Sequence, residues 1–196
     1  MTDIPVRKFP LESFFTIGKL PNHELLKQQI LDSINDAEAD NIDNHDLYYA
    51  DKISRFDWSQ SKNFDRPWVQ LVKPHIEDYL NKLATALGYK NSIIEDIWFQ
   101  QYNSGDSHGW HTHASNFTGV YYLELDKDGP KTEIIEPSRQ NKKFVADVKE
   151  GDILMCPSYV LHRSPSSSSN FQKTIVGVNF LLDSIDSDLL KMVNQL

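Results

Sequence analysis

Between residues 93 and 182 the chain breaks into short strand-like runs separated by turn signals, and that half of the sequence leaves few folds open. The runs fall at 93–102, 110–114, 118–125, 132–135, 144–148, 152–156, 161–163 and 174–182. Their apolar residues alternate or cluster over four to nine positions, the signature of strands rather than helices. Lys127-Asp128-Gly129-Pro130 and Lys149-Glu150-Gly151-Asp152 supply turns between them. Eight or so short strands at this spacing predict a mainly β fold, a sandwich or barrel of jelly-roll type. No internal repeat is visible.

The first half reads as support for that sheet. Leu26, Ile30 and Ile34, with Leu31 beside them, give a helical stripe over 22–36, and Asn22 is a candidate N-cap. A second stripe runs through Val72, Ile76, Tyr79 or Leu80, Leu83 and Leu87 to Gly88, a suitable stop, with Pro74 either kinking the helix or marking its start. These two helices are expected to pack on the sheet. Residues 1–20 suggest a strand or extended arm, and the acidic segment 38–46 a solvated loop. Residues 47–58 carry aromatics without a clear period, and 59–66 form a polar connector. The serine run within 165–170 reads as a mobile loop at the mouth of the barrel, and 184–196 as a short terminal helix.

With 196 residues and 39% hydrophobic content, one compact domain with an ample core is expected. The formal charge of -8 offers no basic footprint, so nucleic acid is not an expected partner. Cys156 is the only cysteine, which excludes an internal disulfide and a thiolate-rich zinc site and favours a reducing compartment. Its place on an apolar run reads as a small packed hydrophobe. No apolar run reaches the length of a membrane span, and the N-terminal stretch lacks the apolar core of a signal peptide. A cytoplasmic, soluble protein is expected.

The chemistry concentrates at 101–125, where three of the seven histidines fall within six positions. If 110–114 is extended, its period of two puts His111 and His113 on one face and Trp110 and Thr112 on the other. Neutral imidazole is the commonest protein ligand for a first-row transition metal, so the pair is half of a metal site. His162 lies some fifty residues on, and a barrel can bring such distant strands together. Eleven residues later Lys173 opens the last strand, a cation that needs an anion. His108 stands on a Gly-flanked loop, and Asp106, Glu124 and Glu136 are nearby acids without the spacing of His113. Trp110, Phe117 and Tyr121 either wall a cavity or pack within the sheet. Arg163 points away from His162 if its segment is extended.

These features, in this order, resemble the 2-oxoglutarate-dependent Fe(II) oxygenases. That superfamily carries His-x-(Asp/Glu), a distant histidine, and a basic residue about ten positions beyond it. Tyr102-Asn103-Ser104-Gly105 and Thr118-Gly119-Val120-Tyr121-Tyr122-Leu123 are similar to its prolyl-hydroxylase-like branch, and the second also looks like a group of uncharacterised bacterial and phage oxygenases. The resemblance covers about half of the chain. It implies a double-stranded β-helix core over 93–183, a supporting region over 1–92 and a C-terminal helix over 184–196. It further implies His111, His113 and His162 as ligands of Fe(II), and Lys173 as the counter-ion of the far carboxylate of 2-oxoglutarate. Tyr102 and Tyr122 become candidate hydroxyl donors to that cosubstrate. The implied activity is that of a dioxygenase, a hydroxylase consuming O2 and releasing succinate and CO2, with a peptide or a small molecule as substrate.

One position departs from the pattern. His113 stands where the superfamily has a carboxylate, so bound Fe(II) would keep a charge of +2 rather than +1, shifting affinity and redox behaviour. Two other readings therefore stand beside the first. One is a three-histidine, cupin-like dioxygenase without 2-oxoglutarate, against which Lys173 argues. The other is a non-enzymatic β-barrel module whose histidines hold zinc or no metal.

Overall fold

The computed structural model describes residues 7, 9, 11–44, 51–139, 142–168 and 170–193. In chain order these form β1 (Thr16–Lys19), α1 (His23–Asn35), β2 (Asp40–Asn44), β3 (Asp51–Phe56), a 3₁₀ turn (Trp58–Gln60) and α2 (Pro67–Ala86). The strand series follows as β4 (Tyr89–Tyr102), β5 (His108–His111), β6 (Phe117–Leu125), β7 (Glu133–Ile135), β8 (Lys143–Val145), β9 (Asp152–Pro157), β10 (His162–Ser164) and β11 (Lys173–Ile185), with α3 (Ser187–Val193) last. All pairings are antiparallel. A seven-stranded sheet runs β1-β9-β6-β11-β4-β3-β2, and a four-stranded sheet runs β5-β10-β7-β8. This is the jelly-roll core that the strand spacing predicts.

Period two sorts the large sheet into two faces. On the outer face Ile97, Phe99, Tyr121, Leu123, Ile153, Met155, Val176 and Val178 pack against Ile30 and Ile34 of α1 and Trp68, Val72, Ile76 and Leu80 of α2. Their neighbours in sequence turn inward. Tyr102, Tyr122, Leu154, Cys156 and Ile175 join Ile134 of the small sheet and Val160, Ala146 and Val148 of the connections in a second core. Cys156 is thus a packed hydrophobe, its thiol pushed up to about 12 by burial. At roughly 25 cal/mol per Å² of apolar surface, these two cores are the main favourable term in folding.

Several local readings change. Helix α2 begins at Pro67, a first-turn position that needs no N–H, and runs through Pro74 without ending. Asn22 does stand at the N-cap of α1, but in left-handed backbone with φ 62 and without a side-chain cap bond. Within the acidic segment residues 38 and 39 are loop, as expected, but residues 40–44 form the edge strand β2, paired with β3 through Ile42 and Ile53. Only Ile42 of β2 is half-buried, so the pattern carries no apolar alternation to read. Expectations for residues 45–50 and 194–196, and for most of 1–10, lie outside the described residues. In the described part of the serine run, Gly105 N–H donates to Ser167 O at 2.8 Å and Ser166 Oγ to Gly105 O at 3.0 Å. Among the described residues no helix is long and apolar enough to cross a membrane.

Candidate active site

The open end of the jelly roll is where β5 and β10 pair, and the register places His162 directly opposite His111. Strand β5 ends at His111, three residues short of expectation, because the chain then leaves the sheet. His113 reaches the same point from the following segment, where its backbone N–H donates to Ser158 O at 3.0 Å. The ligating atoms of His111, His113 and His162 all lie within 4.8 Å of one another, and Nε2 of His113 is 3.3 Å from Nε2 of His162. Backbone carbonyls fix two of the rings. His111 Nδ1 donates to Gly109 O at 2.7 Å and His162 Nδ1 to Val160 O at 2.9 Å, which leaves each Nε2 as a lone pair facing the cluster.

Electrostatics keep this cluster neutral. Burial lowers the pKa of His113 to about 3, helped by His162 and His111 and opposed by the Asn179 amide. Burial also brings His162 down to about 4 and lowers His111 against the pull of the Gly109 carbonyl and Asp51. Three unprotonated imidazoles with converging lone pairs form a set that fits a divalent transition metal. His108 stacks on His111 with ring centroids 3.7 Å apart, its own pKa pushed well down by burial and by the other histidines. It backs the cluster rather than completing it. Of the acids near the histidines, Asp106 is 1% exposed and spends its carboxylate on Ser54 and Asn103. Glu124 accepts from Thr174, and Glu136 from Ser138.

Below the histidines a narrow cavity of about 30 Å³ is lined by Trp98, Gln100 and Tyr102 of β4, Val120 of β6, Thr132, Ser164 of β10, and Lys173 and Gly177 of β11. Lys173 closes its floor at 2% exposure. Its ammonium donates to Pro130 O at 2.8 Å and Ser164 Oγ at 2.7 Å and lies 4.8 Å over the Tyr102 ring. Among the described residues no carboxylate pairs with it, and burial lowers its pKa to about 7. A buried cation held only by neutral acceptors favours an incoming anion, so the floor fits a carboxylate.

The two tyrosines separate. Tyr102 lines the cavity and donates its hydroxyl to Gln100 Oε1 at 2.8 Å. Tyr122 lies one layer out, its hydroxyl joined to Thr132 Oγ1 at 2.5 Å, and Thr132 rather than Tyr122 reaches the cavity. Burial raises the pKa of both phenols, so both remain protonated donors. Phe117 and Tyr121 belong to the helix-side core and are not among the residues that line this cavity. Trp110 packs under Arg163, whose guanidinium carbon is 4.6 Å from the ring and whose Nε pairs with Glu133 at 2.7 Å.

Trp98, Gln100, Ser164 and Gly177 were not among the candidates drawn from the sequence. Counting back by twos from Tyr102 and forward by twos from Lys173 would have found three of them, because one face of each strand lines one cavity. Gly177 is required there: a Cβ would stand 2.4 Å from Cε2 of Trp98, so its absence makes room for the indole.

No family model matches the sequence, and no curated protein matches it either. Solved structures do share its fold. The non-heme alpha ketoglutarate dependent epimerase SnoN from nogalamycin biosynthesis superimposes with a TM-score of 0.66 at 8% identity, covering 87% of this chain and 78% of that one. A Trichoplax adhaerens prolyl hydroxylase, solved with a hypoxia inducible factor oxygen degradation domain peptide fragment, gives 0.61 at 16% identity over 85% and 83%. A Pseudomonas putida prolyl-4-hydroxylase gives 0.58 at 12% identity over 84% and 91%. The chain therefore has the fold of the superfamily that its motifs resemble, prolyl hydroxylases included.

Proposed function

We propose that this chain is an Fe(II)- and 2-oxoglutarate-dependent dioxygenase that hydroxylates a C–H bond. The observation that carries the reading is Lys173: a buried ammonium without an acidic partner, on the floor of the same cavity whose rim is three neutral histidines. A metal site alone would not need it.

His111, His113 and His162 would hold the iron through Nε2, and the Gly109 and Val160 carbonyls keep two of those rings in register. Lys173 would pair with the far carboxylate of 2-oxoglutarate, while Ser164 Oγ keeps the ammonium aimed into the cavity. Iron and 2-oxoglutarate, when bound, would supply the oxidising chemistry, one atom of O2 passing to succinate, the other to the substrate, with CO2 released. The walls of Trp98, Val120 and Ile175 exclude water from the cavity and strengthen every charge interaction inside it. With histidine in place of a carboxylate the protein leaves the metal's full +2 to be balanced by the dianionic cosubstrate.

The test is an anaerobic titration of metal-free protein with Fe(II) and then 2-oxoglutarate, followed by visible absorption. A chelate band that forms in the wild type and is lost in His162→Ala supports the reading. Iron binding without any spectral response to 2-oxoglutarate overturns it in favour of a three-histidine site that uses no such cosubstrate.

A further inference from the structure

Outside the histidines the cavity opens into a second, wider cleft of about 380 Å³, lined by Trp58, Ser61, Asp96, Trp98, Thr112 and Asn179 together with His108, His111 and His113. Resting on the oxygenase reading above, we infer that this cleft is the substrate entrance and that it takes a substrate bearing a basic nitrogen, an ammonium or a guanidinium.

The inward face of β4 carries Tyr102, Gln100, Trp98 and Asp96 in succession, and that of β11 carries Lys173, Ile175, Gly177 and Asn179 in register beside them. Polarity therefore changes sign along one axis: ammonium at the floor, neutral imidazoles in the middle, carboxylate at the mouth. The Asp96 carboxylate accepts from Ser61 Oγ at 2.9 Å and from Asn179 Nδ2 at 3.4 Å, and no lysine or arginine among the described residues pairs with it. Beside it the buried Asn179 Oδ1 is a second acceptor, facing the His113 ring as well as the cleft. Trp98 is 8% exposed, stacks on His113 at 5.8 Å between centroids, and has a buried indole N–H without a partner where cavity and cleft join. Trp58 lines the same cleft, tilted against His108 at 5.3 Å and against Phe56 at 4.2 Å between centroids.

A carboxylate and an amide oxygen with two indole rings in the same lining form a site for a cation, because acceptor oxygens and electron-rich rings both favour positive charge. An anionic substrate would meet Asp96 first and be repelled, and a purely apolar one would desolvate the Asp96 charge without supplying a counter-ion. The net charge of -8 also draws cations toward the molecule.

The experiment titrates N-acetyl-lysine amide and N-acetyl-arginine amide, with N-acetyl-norleucine amide as the uncharged comparison, into protein loaded with Zn(II) and 2-oxoglutarate. Binding is read by calorimetry and by tryptophan fluorescence. At least one cationic amide should bind about tenfold or more tighter than the norleucine amide, a preference set by one charge pair. Asp96→Asn should abolish that preference while binding 2-oxoglutarate as the wild type does, and Trp58→Leu should weaken the cationic amide about fivefold. Equal binding of the three amides, no saturable binding of either cation, or a preference that survives in Asp96→Asn overturns the inference. Failure of the wild type to bind 2-oxoglutarate would instead remove the reading beneath it, and is measured in the same series.

Discussion

Asp57 and Lys173 are buried alike, at 2% exposure each, and the protein treats them in opposite ways. Asp57 lies between the end of β3 and the start of α2, where it is closed off on every side. Arg66 Nη1 pairs with its Oδ2, Trp68 Nε1 donates at 3.1 Å, and Phe99 N–H donates to Oδ1 at 2.8 Å. Burial raises the Asp57 carboxyl above its ordinary pKa, with the Phe99 and Arg66 donors pulling the other way. Arg66 is in turn spent on Ile97 O and on the Trp68 ring. Lys173 has a serine hydroxyl, a carbonyl and an aromatic face, with no ion-pair partner among the described residues. The first arrangement pins helix to sheet. The second stores an unmet electrostatic demand inside a cavity, and such groups mark binding sites more often than scaffolds.

The largest expected effect falls on the closed pair. Asp57→Ala strands a buried guanidinium and should cost about 3–5 kcal/mol of stability by urea denaturation, with the fold's support failing before its chemistry. A loss below about 1 kcal/mol would mean that the pair is no more structural than a surface bridge.

The second effect belongs to the open cation and has a definite sign. The anion binds the ammonium form, whose pKa in the free protein is about 7 and rises when a carboxylate arrives. Affinity for 2-oxoglutarate should be full below pH 7 and fall by up to about tenfold per unit above it, until the higher pKa of the complex is reached. Affinity that is flat from pH 6 to 9 in calorimetry would show that Lys173 is not the counter-ion.

The smallest effect separates the two tyrosines. Tyr122→Phe removes the partner of a buried Thr132 hydroxyl and should cost about 1 kcal/mol of stability, with less than about a threefold change in 2-oxoglutarate affinity. A larger loss of affinity would restore Tyr122 to the site itself.

What the sequence made legible follows from periodicity. The strand series, the His111 and His113 pair, and the separations of His162 and Lys173 are all patterns of one short segment or fixed offsets between segments. The register of β10 against β5 then brings the distant histidine opposite the first. Edge strand β2 was hidden because both its faces meet solvent, and the start of α2 because Pro74 reads as a breaker although Pro67 is the true first-turn residue. The mouth residues Asp96, Asn179 and Trp58 were hidden for another reason. Each is unremarkable in its own segment and gains meaning only when β4, β11 and the 3₁₀ turn close around one cleft.

The most direct test of the central claim, that Lys173 waits for the cosubstrate, is calorimetric titration of 2-oxoglutarate into Mn(II)-loaded wild type and Lys173→Met. The account predicts that Lys173→Met is as stable as the wild type or more so, since it removes a desolvated charge, yet binds 2-oxoglutarate at least about thirtyfold more weakly, as loss of one partner of a buried charge pair requires. Unchanged affinity in a folded Lys173→Met protein would contradict it.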